Sequence, residues 1–119
     1  MLRQTCIFVF LFVLISCSSC DDNIRQNYET ILTKHTWQLN SILNTSSNTV
    51  VDSDNYTYSF YSDGTFLKLS ENGEFYGEWQ FLENQTELMI SSNIFRIKTL
   101  SNSILKLKYG ELEFLYTAL

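Results

Sequence analysis

The sequence contains no proline, and its small numbers of histidines, glycines and cysteines each exclude a kind of site. The single histidine, His35, has no second imidazole with which to hold zinc, and it is the sole candidate base for nucleophilic catalysis. All three cysteines lie within the first 20 residues, so the folded part has neither a disulfide framework nor a thiolate cluster. The four glycines form no phosphate-binding loop. We therefore expect no metal, no cofactor and no catalytic residue, and hence no enzyme.

Basic residues are also scarce in this chain. Lysine and arginine number eight against 13 acidic residues, which gives a net charge of -5 and an isoelectric point near 4.7. The basic residues are scattered, whereas a surface for phosphate backbones needs them clustered, so we expect no nucleic-acid partner. Glu111 and Glu113 share one face of a predicted strand, where pairing with lysines on a solvated face explains them better than catalysis does.

What the chain does contain suits a small β protein. At 119 residues and 13.9 kDa it is long enough for a leader and one domain with a single core. Hydrophobic residues make up 45% of it, as in ordinary globular proteins, and aromatic residues make up 15%. Flat rings fill a pleated, half-buried surface well, so the aromatic content and the absence of proline both favour sheet.

The N-terminal segment has the pattern of a secretory leader. Arg3 supplies a positive charge, and residues 6–15, CIFVFLFVLI, form an uninterrupted apolar run. At about 1.5 Å rise per residue, a helix over this run is too short to span a bilayer core of ~30 Å, so the run predicts a signal peptide. The alternative is a short membrane anchor that is not cleaved.

The end of the apolar run, LISC at residues 14–17, resembles a bacterial lipobox, with a branched aliphatic residue and two small-to-medium residues before cysteine. The resemblance implies that Cys17 receives a diacylglycerol, that the chain is cut before it, and that its new amine is acylated. Cys20 is a rival site, but Cys17 would then occupy a position that needs an aliphatic residue. We therefore predict lipidation at Cys17, where several buried acyl chains would give a firm membrane anchor.

The residues after Cys17 indicate a cellular location. SSCDD at residues 18–22 resembles the serine-plus-acidic tether that follows the lipidated cysteine in Bacteroidetes lipoproteins. In those lipoproteins the tether is similar to a surface-export signal. This resemblance implies a lipid-anchored protein of the outer membrane, exposed at the cell surface; the alternative is a solvated acidic linker. The predicted organisation is a signal peptide over residues 1–16, a lipidated tether over 17–22 and a barrel domain over 23–119.

Two hydrophobic periods divide the folded part. Residues 23–34 place apolar side chains at helical spacing, and from Trp37 onward the period changes to two, which predicts a short amphipathic helix followed by eight antiparallel strands. The turns are tight except for one long link at residues 44–55. A twisted sheet of this size tends to close on itself, so the predicted fold class is all-β, an eight-stranded antiparallel meander barrel. The strand segments are TWQLNSIL, YTYSFY, TFLKL, EFYGEWQF, ELMI, IFRIKTL, ILKLKY and ELEFLY.

Two hairpins allow a prediction of register. In the last one, a two-residue turn at residues 109–110 sets Lys108 against Glu111 on the outer face and apolar pairs on the inner face. In the hairpin around residues 71–73, a three-residue loop is preferred to a two-residue Asn-Gly turn, because it aligns leucines with the aromatic face. The predicted inner face is Tyr56, Tyr58, Phe60, Leu67, Leu69, Phe75, Trp79 and Phe81. Gly77 also lies on that face, where the barrel wall bends or a ring crosses the strand.

Three segments together resemble the small lipocalin-like domains of Bacteroidetes lipoproteins. They are HTWQL at residues 35–39, YTYSFYSDGTF at 56–66 and GEW at 77–79, and the resemblance covers most of residues 35–116. It implies a non-enzymatic lipocalin-like barrel. The chain departs from true lipocalins in its shorter strands and in having KHTW where their first strand carries G-x-W, and these departures argue against a roomy calyx.

The aromatic residues are the feature that bears on function. Trp37, Tyr58, Phe60 and Trp79 are the predicted ligand-facing residues, in a barrel just wide enough to be filled by side chains or to hold one small ligand. The predicted function is non-enzymatic binding of a small apolar ligand, or of a protein partner in the cell envelope, by a protein held at the membrane through its lipid anchor. The alternative is a structural or interaction subunit with a solid core, acting through its outer surface and the link at residues 44–55.

Overall fold

The structure, a computed structural model, describes residues 28–119, which form one helical segment followed by nine β-strands. The predicted signal peptide, the tether and the anchor at Cys17 lie outside the described residues. The helical segment covers residues 28–34. The strands are β1 (Thr36–Asn44), β2 (Thr49–Val51), β3 (Tyr56–Phe60), β4 (Thr65–Ser70), β5 (Gly73–Leu82), β6 (Glu87–Ile90), β7 (Asn93–Leu100), β8 (Ile104–Tyr109) and β9 (Leu112–Ala118).

The strands form one antiparallel sheet that closes into an eight-stranded barrel. Neighbouring strands follow the order β1, β3, β4, β5, β6, β7, β8 and β9, and β9 returns to pair with β1. Strands that follow one another along the chain are therefore neighbours around most of the wall, as a meander requires. The predicted all-β fold, a closed eight-stranded meander barrel after a short helix, is confirmed.

Strand β2, which is additional to the eight strands of the barrel, lies within the link at residues 44–55, where the sequence predicts a loop. It pairs with the second half of β1 only, from Ile42 opposite Val51 to Asn44 opposite Thr49, while the first half of β1 pairs with β3. The strand has three residues and none of them is buried. A strand so short and so exposed produces no alternation of apolar and polar residues, so the sequence pattern does not reveal it.

The helical segment covers one end of the barrel. Leu32 is fully buried there, and the indole N–H of Trp37 donates a hydrogen bond to the Leu32 carbonyl oxygen at 3.0 Å. The carbonyls of a last helical turn have no partner within the helix, so this bond satisfies one of them. The helix predicted over residues 23–34 is confirmed from residue 28 onward. Within the described residues, no helix is long and apolar enough to cross a membrane.

The two ends of the barrel differ in structure. We call the end beneath the helical segment the capped end; it holds the start of β1 and the turns at residues 61–64, 83–86 and 101–103. The opposite end, called the open end, holds the end of β1 and the turns at residues 71–72, 91–92 and 110–111.

Buried apolar side chains fill most of the barrel. Fully burying one such side chain stabilises a fold by about 1.5–3 kcal/mol, so this cluster is the main source of stability. The buried hydrophobic residues are Leu32, Trp37, Leu39, Ile42, Tyr58, Phe60, Phe66, Trp79, Leu88, Ile90, Phe95, Leu100, Leu105, Leu107 and Tyr116.

The last hairpin turns one residue later than predicted. Tyr109 lies opposite Leu112, which makes residues 110–111 the turn, and Lys108 faces Glu113 rather than Glu111. Gly110 adopts a φ of 60°, a conformation that glycine reaches without steric cost and tyrosine does not. The glycine therefore begins the turn, and Tyr109 remains in the strand. Because the register changes by two residues, the inner and outer faces stay as predicted.

The hairpin between β4 and β5 corrects a second prediction. Its loop is two residues long, 71–72, rather than three, and Phe66 lies opposite Gly77. The one-residue difference turns β4 over, so that Phe66 faces the core while Leu67 and Leu69 face outward. The other residues predicted for the inner face do lie on it. The predicted crossing of a ring over Gly77 is also found, although the ring belongs to Phe66.

Candidate ligand-binding cavity

Strand β5 extends beyond its neighbour β6, and this difference opens the barrel wall. Residues 79–82 of β5 pair with β6, and the N–H of Ser91 reaches the carbonyl oxygen of Glu78 at 2.8 Å. The preceding residues, 73–77, pair with β4 but have no strand partner on their other side within the described chain. A gap therefore separates the first half of β5 from the β6–β7 turn at the open end.

A cavity of about 290 Å³ lies at this gap. Ligand pockets usually measure ~300–1,000 Å³, so the cavity is at the lower limit of that range. Most of its wall is aromatic or aliphatic, with a few polar side chains among them, which is the usual composition of a small-molecule site. Its lining residues are Tyr58, Phe66, Lys68, Phe75, Tyr76, Ile90, Ser91, Asn93 and Phe95.

Aromatic residues near the gap are more exposed than those of the core. Phe75 lies on the inner face of β5 yet keeps 50% of its surface exposed, and Tyr76 keeps 72%. Phe66, one step further from the open end, is 5% exposed. The cavity thus has an exposed aromatic entrance and a buried apolar interior.

Lys68 places a positive charge on the inner wall. It lies opposite Tyr58 on β3 and opposite Phe75 on β5, and partners across an antiparallel ladder share one face of the sheet. Its Nζ stands 4.2 Å from the centroid of the Tyr56 ring, a cation–π geometry. Within residues 28–119 no carboxylate forms a salt bridge with Lys68. Among residues 28–119, the Tyr56 ring is therefore the one group in electrostatic contact with this charge.

Three tyrosines pack beside the cavity. The hydroxyl oxygens of Tyr56 and Tyr116 share a hydrogen bond at 2.7 Å, and the rings of Tyr56 and Tyr58 meet edge to face with centroids 5.2 Å apart. Burial raises the pKa of all three phenols, and the neighbouring Tyr56 raises the pKa of Tyr58 and Tyr116 further. All three side chains are therefore neutral hydroxyl groups at physiological pH.

The structure distributes the four predicted ligand-facing residues between the cavity and the core. Tyr58 lines the cavity. Trp37 and Phe60 are buried at the capped half of the barrel, and Trp79 is buried against the Phe60 ring with centroids 5.8 Å apart. These three belong to the packed cluster, and contact between them and a ligand stays a prediction.

The sequence patterns did not single out most of the cavity wall. Phe66, Lys68 and Phe95 line it but were not proposed as site residues. The signal that could have found Lys68 is the register of the β4–β5 hairpin, since a two-residue loop at residues 71–72 places the lysine on the inner face. The loop length itself is decided by packing between strands, which a hydrophobic pattern does not contain.

His35 lies at the capped end, far from the cavity. Its ring meets the Trp37 ring edge to face at 5.4 Å, and its Nε2 lies 3.3 Å from Asn102 Oδ1. Both are packing contacts at the junction of the helical segment and β1. In the described part of the chain, no three potential metal ligands among histidine, cysteine, aspartate and glutamate form a group.

A closed antiparallel meander of eight strands with a cavity at one end defines a lipocalin-like barrel. No protein-family model matches the chain, and no curated protein matches it. Solved structures from Bacteroides do resemble it, at sequence identities that establish the fold alone.

Three of these structures are a lipocalin-like protein, an uncharacterized protein and a DUF4847 family protein. The lipocalin-like protein from Bacteroides uniformis has a TM-score of 0.59 at 18% identity, covering 74% of this chain and 99% of the other. The uncharacterized protein from Bacteroides eggerthii has a TM-score of 0.60 at 16% identity, with coverages of 71% and 98%. The DUF4847 family protein from Bacteroides vulgatus has a TM-score of 0.54 at 15% identity, with coverages of 75% and 95%. The predicted resemblance to lipocalin-like domains of Bacteroidetes is thereby confirmed for the fold.

Proposed function

We propose that this protein is a non-enzymatic binding protein that takes a small apolar ligand into the cavity at the open end of its barrel. The lipocalin-like fold supports a binding role, and the cavity of about 290 Å³ is the observation that carries the proposal. Its aromatic interior suits a ligand that loses contact with water on binding. The residues that would contact the ligand are Tyr58, Phe66, Lys68, Phe75, Ile90 and Phe95.

The proposal includes a place of action. Cys17 would carry the lipid that holds the protein at the outer membrane, as the lipobox-like residues 14–17 and the acidic tether after them support. A binding protein anchored in this way would keep its ligand close to the cell envelope.

The ligand is tested by native mass spectrometry of the purified chain after incubation with a lipid extract of its own cells. We expect a retained adduct. Asn93→Trp, which would fill the cavity from its exposed rim, should remove the adduct, and Ser103→Trp at the capped end is the matched control that should keep it. A chain that folds cooperatively and retains nothing would overturn the proposed ligand and favour the alternative, a structural subunit that acts through its outer surface.

The anchor is tested separately by fractionating cells that express the chain. Cys17→Ala should block lipidation and shift the protein from the membrane fraction to the soluble fraction. Cys20→Ala is the matched control, because it alters the rival cysteine and should leave the distribution unchanged. Retention of the Cys17→Ala protein in the membrane fraction would show that something other than lipid on this residue holds it.

A further inference from the structure

We infer that the cavity at the open end selects a small amphiphile with an anionic head group, held with its head at Lys68 and its apolar tail against Phe66 and Ile90. This inference rests on the proposed function, because it names the chemistry of the ligand that the same cavity would take.

The charge of the lining is the first reason. The chain as a whole has a net charge of -5, yet the cavity is lined by one charged residue, Lys68, and it is positive. No carboxylate of the described chain pairs with it, and the Tyr56 ring at 4.2 Å supplies its one described electrostatic contact. Charge interactions strengthen where protein walls exclude water, so an anion in this cavity would gain more from Lys68 than it would at an open surface.

The hydroxyl group of Tyr58 is the second reason. Tyr58 lines the cavity, and within the described residues its hydroxyl forms no hydrogen bond, whereas the hydroxyls of Tyr56 and Tyr116 bond to each other. Among the described residues, Gln85 Oε1 is the one fully buried side-chain polar atom without a hydrogen-bond partner. Because the Tyr58 hydroxyl oxygen also has no partner but is not such an atom, it is not fully buried. Because burial raises its pKa, this phenol stays protonated and can donate. Lys68 and Tyr58 both line the cavity, so its wall includes two side chains with donor groups, an ammonium and a hydroxyl, and an anionic oxygen can accept from either.

The order of residues along the strands determines which end of the ligand would lie at the cavity entrance. Lys68 and Phe75 form the register pair nearer the open end, and Phe66 and Gly77 form the next pair inward. Lys68 therefore stands at the entrance, and the buried Phe66 and Ile90 stand behind it. An amphiphile bound head outward would keep its charge near solvent and place its tail among apolar side chains.

The cavity volume sets the size of the ligand. At ~30 Å³ per water molecule, 290 Å³ corresponds to about ten waters, and so to a ligand of roughly as many non-hydrogen atoms. Octanoate meets this limit, and octanamide and octylamine have nearly the same size with a neutral and a positive head. These three probes separate the contribution of head charge from that of the apolar tail.

The test is equilibrium dialysis of labelled octanoate against the whole chain held in nanodiscs of neutral lipid, with empty nanodiscs as the blank. Octanamide and octylamine are then added as competitors. A charge-assisted hydrogen bond to a lysine predicts that octanoate binds about tenfold to a hundredfold more tightly than octanamide. Octylamine should compete less well than octanamide.

Variants of Lys68 assign the preference to this residue. Lys68→Met should remove the preference for octanoate over octanamide, and Lys68→Arg should retain it. Lys106→Met is the matched control, since it removes the same charge from the outer face of β8. Tyr58→Phe should weaken octanoate severalfold and octanamide less, because a carboxylate is the stronger acceptor. Circular dichroism establishes that each variant retains the barrel.

The outcomes separate this inference from the proposed function beneath it. Equal affinities for octanoate and octanamide would overturn the anionic head group and leave an apolar binding site. A preference for octanoate that survives in Lys68→Met would overturn the assignment to Lys68. If none of the three probes and no component of the lipid extract binds, the proposed function and this inference both fail.

Discussion

The ring of Phe66 lies across Gly77 so closely that a β-carbon built on Gly77 would stand 2.6 Å from Phe66 Cε2. The two residues are partners across the β4–β5 ladder. Gly77 is not among the glycines with positive φ, so the space taken by the ring, rather than backbone conformation, requires a glycine here. The contact holds the Phe66 ring at the inner end of the cavity.

Replacing Gly77 with alanine should therefore destabilise the barrel. The added methyl group must displace the Phe66 ring, and overpacking of this kind costs about 1–3 kcal/mol in the free energy of unfolding. Urea unfolding followed by circular dichroism measures the change. Phe66→Leu serves as the partner in a double-mutant cycle, because leucine leaves room for the methyl group. The two effects should be strongly non-additive, and simple additivity would show that the ring does not cause the loss.

The indole N–H of Trp37 should hold the helical segment on the barrel. Trp37→Phe removes the donor to the buried Leu32 carbonyl and leaves a small void, which should lower the free energy of unfolding by about 2–4 kcal/mol. Hydrogen exchange supplies the specific readout, since residues 28–34 should exchange faster in this variant. Trp79→Phe is the matched control: its indole N–H donates to the Tyr61 carbonyl at 2.9 Å, on a different turn. Equal exchange of residues 28–34 in both variants would contradict this role of Trp37.

Alkaline pH should destabilise the protein through Tyr116. Burial, and then the neighbouring Tyr56, raise the pKa of this phenol above its ordinary value of 10.0. A tyrosine in the unfolded chain loses its proton near pH 10, so the stabilisation is complete below about pH 10 and is lost as the pH rises above it. The free energy of unfolding should fall more gently above about pH 10 in Tyr116→Phe than in the wild type. Equal slopes for the wild type and Tyr116→Phe above about pH 10 would contradict this role of Tyr116.

Acidic pH should destabilise the protein through Asp63, which lies in the turn between β3 and β4. The hydroxyl and the backbone N–H of Thr65 both donate to Asp63 Oδ1, at 2.7 and 3.0 Å, and they lower the pKa of this carboxyl. Its stabilisation is therefore present above about pH 4 and is lost as the pH falls through the lower pKa of the folded state. Asp63→Asn should reduce the loss of stability below about pH 4, measured by urea unfolding. Equal acid slopes for the wild type and Asp63→Asn would exclude this contribution.

The sequence was sufficient to predict the architecture because alternation is a local property of each strand. The eight strands of the barrel wall each carry buried side chains on one face, and alternation predicted each strand, although it assigned the wrong face of β4 to the core. The helical segment was predictable from Tyr28, Ile31 and Leu32, which lie at helical spacing (i, i+3 and i+4). The short and exposed β2 has no buried face, so it left no pattern to detect.

The cavity could not be predicted because it depends on relations between strands. The sequence pattern does not show that β5 continues past the end of β6, and this difference in strand length opens the barrel wall. The face on which Lys68 lies is also not predictable from the sequence. A change of one residue in the register of the β4–β5 hairpin moves this side chain from the outer face to the inner face. Tyr58 was predicted as a ligand-facing residue because its strand has an unambiguous aromatic face. Its partner Lys68 carries no such signal.

The helical segment gives the barrel a polarity. The chain reaches the barrel at the capped end, and β1 then carries it through nine residues, roughly 30 Å at ~3.3 Å per residue, toward the open end. Whatever restrains the residues before residue 28 therefore restrains the capped end, and the cavity opens at the opposite pole.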